Sequence, residues 1–410
     1  MAAEAPRVHY SHELPTTADV VIVGGGVVGC ATLFFAVRAG LRAVLVERRP
    51  ALATLTTPVS TGAFRLQFDN PEEIELVREG VELFDAFEER TGLTGWDLAL
   101  RRQGYLFASL TEASSERARR LVARQHDWGL TDVELLSGDE ARYRFPYLSA
   151  DVLGARFRAG DGWLDPKRLA LGLAAAASDA WRLPGAQAGG VGVVCTGVEV
   201  IGVRSGAVET TRGEVAAPVI VLATGPFLAR TAALAGLVVR LAPTRRQKLV
   251  LPDVPEVPPD APMTIDEETA AHWRPALRGG FALWTEAGTD PSEPLDDVPA
   301  TAAWAHGLLD PASDHALARV APFWSDVWER GTTSWYGQAG QYEYTPDRRP
   351  YLGPTAVPGV YLNGGYSGHG IMTSPGGSRQ VVEMIVGRLD AATHPLRPDR
   401  PMEGRELDIL

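Results

Sequence analysis

The apolar run Val20-Val21-Ile22-Val23 ends directly on Gly24-Gly25-Gly26-Val27-Val28-Gly29. A short β-branched run of this kind reads as a strand buried on both faces. Each glycine that follows has its own use. Gly24 permits a tight turn out of the strand, Gly26 lets a pyrophosphate approach the backbone, and Gly29 lets the next helix pack close to the sheet. Cys30 to Ala39 reads as that helix, stopped by Gly40, and Leu41 to Val46 as a second buried strand ending at Glu47. A carboxylate at that point binds ribose hydroxyls, while the helix N-terminus with its free N–H groups faces the phosphates. The βαβ unit therefore predicts a dinucleotide site. An acid at Glu47 repels a 2′-phosphate and argues against NADP; it does not separate NAD from FAD.

The remaining pattern predicts two domains, which 410 residues can supply with a core each. Glu72 to Thr91 reads as an acidic surface helix, Gln103 to Phe107 as a strand, Glu112 to Trp128 as a charged helix and Leu169 to Ala177 as a short Ala/Leu-rich helix. Gly190–Cys195, Gly197–Val203 and Ala207–Thr211 read as an antiparallel meander returning to a buried strand, Val219–Ala223. Leu251 to Pro262 and Glu286 to Ala300 read as surface loops, Gly359 to Asn363 as a strand, Gly376 to Gly387 as a helix, and the chain from Pro395 as a loose tail. Two cysteines, Cys30 and Cys195, give neither a disulfide framework nor a metal signature. A net charge of -12 argues against nucleic acid or an anionic membrane as partner. No apolar run is long enough to span a bilayer, and the polar first residues lack the apolar stretch of a leader, so a cytoplasmic location is expected.

Three further segments carry a resemblance. Val219 to Leu222 runs into Ala223-Thr224-Gly225, Tyr342-Glu343-Tyr344-Thr345-Pro346-Asp347 is followed by Pro350 and Gly353, and Gly365-Tyr366-Ser367-Gly368-His369-Gly370 comes next. With Ser60 to Arg65, Gly104 to Leu106 and Asp161 to Pro166 in the same order, the chain resembles the D-amino-acid oxidase superfamily. It is most similar to its sarcosine oxidase, dimethylglycine dehydrogenase and glycine oxidase branch. The resemblance implies an α/β fold: an FAD-binding, Rossmann-like domain of the glutathione-reductase type, with a second α+β substrate domain built on an antiparallel sheet. We expect residues 1–85, 146–235 and 338–410 in the first and 86–145 and 236–337 in the second. The cofactor contacts it implies are Gly24, Gly26, Val27, Val28, Gly29, Glu47, Arg48, Ser60, Thr61, Val198, Thr224, Gly225, Gly365, Gly368, His369, Gly370, Ile371 and Met372. A helix starting near Gly370 would aim its positive end at the flavin, where negative charge gathers on reduction.

The chain departs from that branch in two places. The cysteine that tethers flavin in monomeric sarcosine oxidases corresponds to Gly340, so FAD is expected to be non-covalent. The arginine and lysine that bind the substrate carboxylate correspond to Phe68 and Met372, both apolar. Desolvating a carboxylate without cations is costly. Either other cations do the work, with Arg274, Arg245 and Lys248 as candidates against a background of ordinary surface charge, or the substrate has no free carboxylate. Tyr342 matches the substrate-facing tyrosine. His369 is assigned to cofactor contact before proton abstraction, and His272 is the other histidine to test. The lysine that promotes O2 reactivity in the branch corresponds to Ala282.

These features predict oxidation of the C–N bond of an amine or amino-acid-like substrate by hydride transfer to flavin, which O2 or another acceptor reoxidises. Tyr342, His369, Arg274 and Lys248 are the candidate catalytic side chains. A 2-hydroxy-acid dehydrogenase and an enzyme for a carrier-tethered or carboxylate-lacking substrate stand as alternatives. A flavin monooxygenase is disfavoured because Gly160-Asp161 belongs to the Gly-Asp-Gly-Trp segment and opens no C-terminal FAD motif.

Overall fold

Val20 to Val23 forms a strand whose alternate side chains enter two different cores, which is why every residue in it is apolar. The computed structural model describes residues 5–179, 183–285, 288–331 and 335–402. This strand lies inside a six-stranded sheet ordered 351–354, 360–364, 219–222, 20–23, 42–47, 191–196. All neighbours are parallel except 351–354, which runs antiparallel to 360–364. Val20 and Ile22 pack under helices Val27–Arg38, Pro166–Ser178 and Pro71–Asp85. Val21 and Val23 pack under a three-stranded antiparallel sheet of 200–204, 207–210 and 213–216, through Val203, Val208 and Val215. The result is three layers around one buried parallel sheet.

A second, eight-stranded sheet is ordered 336–344, 242–251, 279–284, 271–276, 263–266, 105–109, 154–158, 134–137. It is antiparallel apart from the pair 263–266 and 105–109. Trp273 and Ala282 face its back, where Trp304 and Trp324 from helices Ala302–Leu309 and Phe323–Arg330 complete a core. Lys248, Leu283, His272 and Arg274, each one position from the back-facing Leu249, Ala282 or Trp273, face the other way.

Several sequence expectations shift. The first helix begins at Val27, not Cys30: Gly26 is its extended N-cap, and tertiary packing overrides the weak helical preference of Val-Val-Gly. The predicted 72–91 helix is two, Pro71–Asp85 and Phe87–Thr91, broken at Ala86, and its apolar face is buried, as an amphipathic helix requires. Residues 191–196 leave the meander and pair parallel with 42–47; Val-rich strands between glycines look alike in either role. The last helix starts at Gly370, where the resemblance places a helix start and six residues before the Gly376 expected from the residue pattern. From Pro395 the chain is anchored, with Leu396 buried and Arg400 paired to Asp347 at 2.8 Å. Residues 403–410 of that tail, Glu286 and Ala287 of the loop, and residues 1–4 lie outside the described residues. No helix among the described residues is long and apolar enough to cross a membrane.

Candidate functional site

A cleft of about 380 Å3 runs along the C-terminal ends of the parallel strands, the place where open α/β sheets bind ligands. At one end stand Gly24 to Val28 and Glu47. Gly24 has φ +108, and a Cβ there would lie 2.6 Å from the Ala223 carbonyl, so this turn needs glycine. A Cβ on Gly29 would run into the Gly24 carbonyl oxygen; Gly29 is thus a packing residue beneath the cleft. A Cβ on Gly26 meets only Thr57 Oγ1, at 3.5 Å, and Gly26 opens on the cleft. The helix it starts has no side-chain cap and no acid in its first turn. Thr57 Oγ1 accepts from Val27 N at 3.2 Å. The Glu47 carboxylate is fixed by Gly25 N–H and Arg49 N–H, each at 2.7 Å, with lone pairs left for hydroxyl groups.

Val198, Thr224, Gly225, Ser60 and Arg48 line the middle of the cleft. Arg48 stacks on Phe227 at 4.4 Å and pairs with Asp296. Asp296 belongs to a strap, residues 291–297, pinned by Leu295 N–H to Gln341 Oε1 (2.8 Å) and Gln341 Nε2 to Ser292 Oγ (2.9 Å).

The far end is formed by Tyr342, Glu343, Gly368, Gly370 and Ile371. The Tyr342 ring lies so close to Gly368 that a Cβ there would sit 2.6 Å from it. Helix Gly370–Ile385 again lacks a side-chain cap and first-turn acids. Glu343 is buried, and desolvation pushes its carboxyl up to about 7.

Other predicted residues stand around the cleft without lining it. His369 begins the last helix, with its ring edge-on to Phe68 (4.8 Å), Nε2 3.4 Å from Arg65 and Nδ1 3.6 Å from Glu73. Met372 and Phe68 are buried in the helical core. Gly365 packs under Thr345 and Tyr351. His272 is held by the Ala270 carbonyl at 2.8 Å, and desolvation lowers its pKa to about 4, keeping the ring neutral.

The candidate cations hold protein. Lys248 Nζ donates to the Pro58 and Ser60 carbonyls, both at 3.2 Å, over the Phe281 ring. Arg274 donates to the Thr61 carbonyl through Nε (3.0 Å) and Nη2 (2.6 Å), and through Nη1 to Pro275 O (2.9 Å). Desolvation, then Arg274, lowers Lys248 to about 7; desolvation lowers Arg274 to about 9. Arg245 pairs with Gln341 in the sheet and shares its strap-side face, away from Tyr342. Thr57, Arg49, Phe227 and Glu343 line or brace the cleft without a sequence signal of their own; strand alternation puts Glu343 on the face opposite Tyr342, so the pattern would not have found it.

The residues present fit a dinucleotide with a charged centre and a ring system at its end. Two uncapped helix N-termini bracket the cleft, an acid waits at one end, and the glycine wall admits a flat group at the other. The fold and cleft define a dinucleotide-dependent enzyme of the two-sheet α/β type.

A family model, DAO, described as FAD dependent oxidoreductase, matches residues 19–384, and the chain belongs to that family. It is an oxidoreductase whose cofactor is FAD. FAD-dependent oxidoreductase domain-containing protein 1 from Xenopus laevis is 26% identical over 91% of this chain and 80% of its own length. Human mitochondrial sarcosine dehydrogenase is 26% identical over 97% of this chain, which spans only 42% of that protein. The crystal structure of glycine oxidase from Geobacillus kaustophilus superposes with a TM-score of 0.78 at 24% identity, covering 95% of this chain and all of the other. This last likeness bears on the fold.

Proposed function

We propose that the chain oxidises the carbon–nitrogen bond of a small amine or amino-acid-like substrate and passes the electrons to O2 or another acceptor. The observation that carries the proposal is the far end of the cleft, where the uncapped helix at Gly370 and the ring of Tyr342 meet across Gly368. Relatives named for sarcosine and glycine support an amine as substrate.

When bound, FAD supplies a two-electron hydride acceptor for the carbon bearing the nitrogen. The amides at Gly24 to Val28 would hold the pyrophosphate and Glu47 the ribose. The N–H groups of Gly370 and Ile371 would stabilise negative charge at the ring. Lys248 and Arg274 fix the carbonyls of Pro58, Ser60 and Thr61, giving the cleft a rigid wall. They act as positioning residues, since Lys248 gives two of its donors and Arg274 three to protein carbonyls. Tyr342 closes the site over the substrate and limits water. Gly340 offers no sulfur, so the flavin would be non-covalent. The six-stranded sheet with its helices would form the cofactor unit and the eight-stranded sheet, including 154–158, the substrate unit.

The test is anaerobic. Flavin bleaching by free amines or amino acids, and not by 2-hydroxy acids, is expected. Bleaching by 2-hydroxy acids alone would replace the amine reading. Acid precipitation should leave yellow flavin in the supernatant.

A further inference from the structure

We propose that Arg246 and Arg348, which converge on the ring of Tyr344, bind the carboxylate of the substrate. This rests on the amine-oxidation reading above and supplies the anion site that Phe68 and Met372 leave without a cation.

The argument starts from strand alternation. Arg246 is opposite Gly340 in the ladder, and Tyr342 and Tyr344 are on the same face. Gly340 faces Thr56 and Val59, and Lys248, two residues on from Arg246, reaches Pro58 and Ser60. Arg246 therefore rises from the same sheet face as Lys248 and Tyr342, beside the cleft that Tyr342 lines, whereas Arg245 does not. Its Nε donates to Tyr344 Oη at 3.1 Å and its Nη1 to the Arg245 carbonyl at 3.0 Å, which aims the guanidinium along the ring at 5.2 Å. Nη2 has no protein partner among the described residues.

Arg348 arrives from another direction. It follows the Thr-Pro-Asp turn in a left-handed conformation, φ +62, which an arginine adopts only at a cost. The turn is held by Arg400, whose Nε and Nη2 bond Asp347 at 2.8 and 2.9 Å, and by Thr345 Oγ1 to the Arg349 carbonyl at 2.8 Å. That strained geometry lays the Arg348 guanidinium on the Tyr344 ring at 3.8 Å. Strain held in place by surrounding structure clusters at functional sites.

Neither arginine has a carboxylate within ion-pair distance among the described residues, although the chain is acidic and both side chains are partly buried. Two cations held on one aromatic ring repel each other until an anion arrives. The Tyr344 ring is 6.2 Å from that of Tyr342, in edge contact. A substrate lying under Tyr342 at Gly368 would thus reach the guanidinium pair with a group a few bonds from its nitrogen. A planar guanidinium fork suits a carboxylate.

The experiment titrates the oxidised FAD-loaded enzyme with propionate, an unreactive carboxylate, and separately with inorganic phosphate. It is followed by calorimetry and by the visible flavin spectrum. R246Q and R348Q should each weaken propionate binding 10- to 100-fold, with R246K intermediate and R245Q unchanged. With a reactive amino acid the loss should fall on KM, kcat moving less than about threefold. Unchanged propionate affinity in both R246Q and R348Q, with flavin content intact, overturns the proposal, as does tighter binding of phosphate than of propionate. Failure of the amine reading looks different: no amine bleaches the flavin, while propionate still binds and still depends on Arg246.

Discussion

Replacing Lys248 by methionine removes a cation buried to 3% exposure and leaves an apolar chain of similar length. Burial and the neighbouring Arg274 lower the ammonium pKa from 10.5 to about 7. At 1.36 kcal/mol per unit, the charged form costs the folded state about 5 kcal/mol relative to the unfolded chain. The sign follows from proton counts. Between pH 7 and 10.5 the unfolded chain carries a proton on this lysine that the folded chain has shed, so wild-type stability rises with pH. The gain is complete above 10.5, and it is lost as pH falls towards 7. Methionine has no such dependence. It leaves the Pro58 and Ser60 carbonyls without their donor, at roughly 1–3 kcal/mol each.

The two effects nearly cancel at pH 6 and separate at pH 10. Urea unfolding of wild type and K248M, measured side by side from pH 6 to 10.5, should give nearly equal stabilities at the acid end. At the alkaline end the variant should be several kcal/mol weaker. The difference should grow by about 1.4 kcal/mol per pH unit across the window, the signature of one proton. Taking the difference removes every other titrating group. A flat difference would refute the buried, shifted ammonium, and with it the claim that Lys248 braces the wall of the cleft.

Other expectations follow the same logic. G26A should fold and lose FAD affinity at least tenfold, whereas G29A should fail to fold because its methyl group meets backbone; thermal melts with flavin content separate the two. E343Q should be equal to wild type near pH 4 and more stable by up to about 3 kcal/mol at pH 8, because the wild-type carboxyl, raised from 4.5 to about 7, must ionise in a dry site; urea midpoints at the two pH values test it. D296A releases the strap from Arg48 and should speed FAD dissociation several-fold in a fluorescence chase, and an unchanged rate would reduce the strap to a surface loop.

How far the sequence could be read divides along one physical line. Contacts local in the chain were legible: the strand, glycine turn and Glu47 lie within a single βαβ unit, and Gly24, Gly26 and Glu47 do meet at one cleft. Arg274 and Lys248 were visible as cations, yet what they hold, the carbonyls of Pro58 to Thr61, comes from nearly 190 residues away or more. The pairing of 191–196 with 42–47 and the landing of Asp296 on Arg48 are likewise long-range. The adjacent arginines make the point most sharply. Composition cannot tell Arg245 from Arg246, but a strand sends neighbours to opposite faces. Only the register against 336–344, which sets Arg246 opposite Gly340, decides which of the two shares the face of Tyr342. A charge that looks ordinary in the sequence thereby becomes the one best placed to decide which substrate the cleft accepts.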